Sequence, residues 1–151
     1  MMQSLLFLFD EPVIETMRNA PLDRLWRFLP IGYATTVLIE TPILVFGLSP
    51  KLSLKQKLLC GVWLTACTYP VVVLVLPALF FDHPRNLYLA VAETFAPLGE
   101  CCFFWLAFSG RAALEKADWI RSLIAIVLAN LVSFGIGEII NYHQWFGLFD
   151  R

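Results

Sequence analysis

The chain has 151 residues, of which 59% are hydrophobic and 15% charged, against about 45 to 50% apolar and 25% charged in an ordinary soluble domain. With a mean hydropathy of +0.72 it carries more apolar surface than a soluble fold can hide, and it is too apolar for disorder. The 11 Lys and Arg against 12 Asp and Glu leave a net charge of -1, which excludes the basic surplus that nucleic-acid binding requires. The expected class is an all-α, polytopic integral membrane protein.

The first 29 residues differ in kind from the rest. A short apolar stretch, 5–9, is followed by Asp10, Glu11 and Glu15. No Lys or Arg precedes it and it is shorter than the 7 to 15 residues of a signal-peptide core, so cleavage is not expected. Leu22, Leu25, Trp26, Phe28 and Leu29 alternate with Asp23, Arg24 and Arg27, which suits a helix lying in the headgroup region with Trp26 at the lipid boundary.

From residue 30 onward one transmembrane domain, 30–151, is expected. Four apolar runs mark its spans: 30–48, broken only by Glu40; 58–81, with no charge; 87–109, with Glu93 and Glu100; and 119–141, with Arg121 and Glu138. Each is long enough to cross a hydrocarbon core of about 30 Å as a helix, and helices satisfy their own backbone in lipid. Short connections make neighbours antiparallel. Lys51, Lys55, Lys57, Arg111, Lys116 and Arg121 then share one face, against Arg18, Arg24, Arg27, Arg85 and Arg151 on the other. The side richer in Lys and Arg is expected to be cytoplasmic, so both hairpin loops face inward. The bacterial inner membrane is the expected location.

The two halves align. Glu40 stands nine residues before Ser49-Pro50, and Glu100 nine before Ser109-Gly110. With about five extra residues in the second hairpin loop, 56–70 falls on 121–135, setting Thr65 on Asn130 and Thr68 on Ser133. This suggests two tandem two-helix repeats inserted in one direction, related by a twofold axis along the membrane normal.

The acids are the feature composition does not explain. A carboxylate at a helix centre costs on the order of 2.5 to 3.5 kcal/mol on insertion scales, and basic partners within the spans are limited to Arg121, close to a loop. Glu93 and Glu100, seven apart, share one face, while Glu138 sits about one turn from the end of its span. Two readings follow. Glu40, Glu93 and Glu100 bind a cation or pass protons, supported by Glu138, Asn130, Thr65, Thr68 and Ser133; or the acids form hydrogen-bonded locks with those same small polar groups on neighbouring helices. Pro42, Pro70, Pro77 and Pro97 free backbone carbonyls near the acids. Small residues Ala125, Ala129, Ser133, Gly135 and Gly137 suggest a close helix crossing.

No catalytic motif of the GxSxG, Walker, HExxH or dinucleotide type occurs, so no enzyme is expected. Cys60, Cys67, Cys101 and Cys102 lack a metal spacing and read as free thiols, and His83 and His143 both fall at loop positions. Neither a metal nor a cofactor is expected. The expected partners are the bilayer and other membrane subunits or a second copy. The function that follows is an accessory or structural subunit of a membrane complex, or a homo-oligomer, with a small transporter or channel as the alternative.

Overall fold

A computed structural model describes residues 22–110 and 114–143. They form four helices: α1, Leu22–Gly47; α2, Leu54–Leu79; α3, Arg85–Phe108; and α4, Lys116–Tyr142. Each holds a stretch apolar and long enough to cross a membrane, of 23, 26, 23 and 25 residues, or about 35 to 39 Å at 1.5 Å per residue. Residues 1–21 of the expected N-terminal segment 1–29, with Arg18, lie outside the described residues, as do 111–113 with Arg111 and the tail beyond 143 with Arg151.

The element boundaries depart from the sequence reading chiefly at α1. Its helix starts at Leu22, so residues 22–29 continue directly into the first span. Pro30 deletes a single N–H donor, and the charges that end the apolar run do not end the helix. As a result Glu40 lies beyond the midpoint of its helix, about two turns from the Gly47 end, as Glu100 does in α3.

α1 packs on α2 and α4, and α3 packs on the same two, which places α1 diagonal to α3. The connections after α1 and α3 share one end of the bundle, here the hairpin end. The start of α1, the α2–α3 connection and the end of α4 share the other, the terminal end. The contiguous core sits at the hairpin end: Leu44, Leu48, Leu52, Cys60, Leu64, Phe104, Ile126 and Ala129. Phe104 packs between Phe108 and Trp119, tilted against the first and edge-on to the second, with ring centroids 4.8 and 5.6 Å away. Among the described residues, only Leu76 and Ala92 are fully buried apolar side chains toward the terminal end. The outer faces are bare and apolar, with Phe46 80% and Leu38 74% exposed.

The hairpin end is closed by cations. A helix leaves its last carbonyls without N–H partners, and α1 has no basic residue in its own last turn. Its neighbours supply them. Lys57 Nζ donates to the carbonyls of Val45 and Leu48 at 3.1 and 3.2 Å, and Arg121 donates to Gly47 and Phe46 at 2.8 and 2.9 Å. Both charges also suit the negative end of the helix dipole. Beside them, buried Ser49 donates to Asp118 at 2.7 Å and its N–H reaches Ser122 Oγ at 3.2 Å. Lys51 bridges Glu115 and Asp118 at 2.8 and 2.9 Å, and those two acids hold its ammonium above the usual lysine range. α2 then starts on a reciprocal cap in which Ser53 Oγ accepts from the Gln56 N–H and Gln56 accepts from the Ser53 N–H.

α2 is not a uniform helix. After Pro70 it takes one π turn, Val71–Val75, before returning to α over Leu76–Leu79. The Leu76 N–H bonds to the Val71 carbonyl, five residues back. The next bond in that register would need an N–H at position 77, which is proline, so the Val72 carbonyl is orphaned. Tyr88 of α3 donates to it at 3.2 Å.

The close crossings are at Gly61 and Gly47. A Cβ on Gly61 would meet the Thr41 side chain, and one on Gly47 would meet Ala125. Ala125 and Ala129 are buried as the small-residue pattern suggests, but Gly135 and Gly137 take no part, since a Cβ on either meets nothing within 4 Å. The ridge is used only where α1 stays close.

Gly61→Ala should therefore lower stability by about 1 to 3 kcal/mol through overpacking, while Gly135→Ala should leave it within roughly 0.5 kcal/mol. Unfolding in mixed micelles, followed by circular dichroism, measures both; equal effects would contradict the α1–α2 packing described.

Candidate functional site

The central polar cluster is built from all four helices. Glu40 of α1 and Glu100 of α3 are each 1% exposed. Thr65 and Thr68 project from α2, and Asn130 and Ser133 from α4, each pair three residues apart and so on one helical face.

Glu40 accepts from Thr65 Oγ1 at 2.8 Å on one carboxyl oxygen and from Ser133 Oγ at 2.6 Å on the other. Glu100 accepts from Thr68 Oγ1 at 3.1 Å and from Asn130 Nδ2 at 2.8 Å. Every bond runs between helices. Each acid takes one partner from the helix that follows it in sequence, Thr65 or Asn130, and one from the other half of the chain, Ser133 or Thr68. These are the positions that superpose when the halves are aligned.

The hydroxyls have a second acceptor each. Thr65 lies 3.0 Å from the Gly61 carbonyl, Thr68 3.3 Å from Leu64, and Ser133 3.0 Å from Asn130. A hydroxyl can donate one proton and accept others. It can therefore donate to an ionised carboxylate, or turn to its helix carbonyl and accept from a protonated acid. Asn130 Nδ2 only donates, so the Glu100 oxygen facing it always accepts and any proton on that acid sits toward Thr68. The cluster accommodates either state of its acids without orphaning a group.

The remaining sequence candidates lie outside this closed set. Glu93 is half-buried on the face of α3 that carries Glu100. It has no hydrogen bond or ion pair among the described residues. Glu138 is half-buried near the end of α4. The structure thus brings Glu40, Glu100, Thr65, Thr68, Asn130 and Ser133 together and leaves Glu93 and Glu138 toward the terminal end. The proline-freed carbonyls do not serve the acids; the hydroxyls and the amide do, and the Val72 carbonyl goes to Tyr88. Thr41 Oγ1, beside Glu40 in sequence, is buried with no partner.

No group of three or more His, Cys, Asp and Glu able to hold a metal occurs among the described residues, and the four cysteines are free thiols. The sequence reading missed the Ser53–Gln56 cap, although its S-x-x-Q spacing announces one. It also missed the capping of α1 by Lys57 and Arg121, which no local pattern announces. Comparison with protein-family models, curated proteins and solved structures finds no match to this chain.

Replacing Asn130 by Val removes a donor that only Glu100 and a helix carbonyl use. Stability should fall by about 1 kcal/mol, within the range of hydrogen bonds between membrane helices. Glu100→Gln should fall by less, because its amide can accept from Asn130 and donate to Thr68. Reversible unfolding in detergent and lipid mixtures gives both values, and a larger loss for Glu100→Gln would contradict the donor assignment.

Proposed function

We propose that the chain is a four-span integral membrane protein that works as an accessory or structural subunit of a larger membrane complex, or as a homo-oligomer. Its bare outer faces suit lipid or other membrane helices. One observation carries the structural reading: both oxygens of Glu40 and of Glu100 are occupied by side chains of the same chain. No oxygen of either acid is left without a partner inside the chain. They hold the four rods in register in a medium where apolar contact alone does not favour one helix pair over another.

The finer features of the reading belong with it. The crossed bonding of the two acids supports two tandem two-helix repeats around an axis along the membrane normal. The hairpin end, with Lys51, Lys55, Lys57, Lys116 and Arg121, is the cytoplasmic side of a bacterial inner membrane. The first turns of α1, residues 22–29, lie in the headgroup layer, with Trp26, 56% exposed, at the boundary. No catalytic role is assigned.

The second reading, a small transporter or channel using Glu40, Glu93 and Glu100 for protons or cations, rests on Glu93, which is half-buried without a partner among the described residues. Flux separates the two. Reconstituted alone in liposomes, the purified chain should pass neither protons nor monovalent cations. In mild detergent it should run as a stoichiometric complex or oligomer above its own 17.2 kDa, and the Glu40→Gln, Glu100→Gln variant should assemble equally well. Proton or cation flux that Glu93→Gln abolishes would overturn the structural reading in favour of the transporter.

A further inference from the structure

Neither buried acid is met by a cation. Glu40 and Glu100 are each 1% exposed, and their oxygens are taken by neutral groups, Thr65 and Ser133 on the first, Thr68 and Asn130 on the second. The bases nearest them are engaged at the hairpin end, Lys57 and Arg121 on the last carbonyls of α1 and Lys51 on Glu115 and Asp118. Arg27 of α1, Lys55 of α2, Arg85 of α3 and Lys116 of α4 stand ten or more residues from the cluster member on their own helix, at least about 15 Å along it. The other titratable residues in the middle of these helices are Cys60, Cys67 and Tyr69 of α2, Glu93 and Cys101 of α3, Glu138 of α4 and Tyr33 of α1, and none is a base.

Two ionised carboxylates here would be like charges stripped of water with nothing to balance them, and a buried group in that position takes its neutral form. The hydrogen-bond partners accept that form. Asn130 Nδ2 can only donate, so a neutral Glu100 carries its proton on the oxygen facing Thr68. Thr68 accepts it by turning its own hydroxyl to the Leu64 carbonyl, 3.3 Å away. Glu40 has two such acceptors, because Thr65 can turn to Gly61 and Ser133 to Asn130, each at 3.0 Å.

We infer that Glu40 and Glu100 both hold a proton in the folded bundle, and that the lock they form between the four helices is therefore released by alkali. The unfolded chain exposes both carboxyls and gives up their protons above about pH 5.5, whereas the folded chain keeps them. Folding is then favoured at low pH and weakened as pH rises, until the folded acids ionise too. Each retained proton raises the ratio of unfolded to folded molecules about tenfold per pH unit, so two raise it about a hundredfold. The inference goes beyond the proposed function, since a pair of neutral acids serves a structural subunit as readily as a transporter, and the flux measurement does not bear on it.

Reversible unfolding of the full chain in mixed micelles, followed from about pH 5.5 upward, tests it. Glutamine keeps the hydrogen bonds of the neutral acid and has no proton to lose. The rise in the unfolded-to-folded ratio should therefore become about tenfold per pH unit less steep in Glu40→Gln, by the same factor in Glu100→Gln, and about a hundredfold less steep in the double variant. A slope equal to that of the unsubstituted protein in either single variant would overturn the inference. Infrared spectra of the chain in lipid vesicles at neutral pH read the acids without unfolding and without removing them. The unsubstituted protein should show carbonyl bands of protonated carboxyls, one displaced by Thr68→Ala and another by Ser133→Ala. Absence of such bands, or bands that neither substitution moves, would overturn the inference even where a glutamine variant fails to fold.

Discussion

Two carboxyls buried among apolar rods impose the constraint on which the bundle is organised. An acid at this depth is tolerable only where its oxygens are met, and here four donors from α2 and α4 meet them. Because neither acid can be satisfied by one neighbour, each ties two helices to its own. α1 is joined to α2 and α4 by Glu40, and α3 to the same two by Glu100. The square arrangement of the helices and the crossed bonding are one fact seen at two scales. On the proposed membrane placement, apolar packing alone leaves the rotation of such helices weakly specified, whereas misrotating any of the four would strand a carboxyl or its donors.

That constraint also divides the molecule. On the hairpin side of the acids the side chains interlock, the aromatic rings of Phe104, Phe108 and Trp119 pack together, and the end of α1 is sealed by Lys57 and Arg121. On the terminal side the packing thins, α2 passes through a π turn, and Glu93 finds no partner among the described residues. The irregular stretch of α2 lies on this looser side, where Pro70 and Pro77 shift its register and Tyr88 takes up the carbonyl left over.

Much of this was legible in the sequence, for physical reasons. Four apolar runs long enough to cross a membrane read directly as four helices, since hydropathy reports the same quantity that decides burial in lipid. Thr65, Thr68, Asn130 and Ser133 were identifiable as partners because an acid in an apolar span leaves few polar groups to meet it, and their three-residue spacing puts each pair on one face. What was not legible depends on distance. The charges at 23, 24 and 27 mark where an apolar run ends, and they concealed that α1 begins at Leu22. Spacing put Gly135 and Gly137 in a close helix crossing but could not say that a Cβ on either meets nothing within 4 Å among the described residues. The capping of α1 joins residues more than seventy positions apart for Arg121, and no local pattern encodes such a pairing.

The claim that each acid is held by both halves of the chain is tested most directly by double-mutant cycles on the crossed pairs. Glu40→Ala with Ser133→Ala, and Glu100→Ala with Thr68→Ala, measured by reversible unfolding in mixed micelles, should each give a coupling energy of about 0.5 to 2 kcal/mol. The unbonded combination of Glu40 with Thr68 should be additive to within about 0.5 kcal/mol. Additivity in both crossed pairs would show that the two halves are not bound through their acids and would contradict the account.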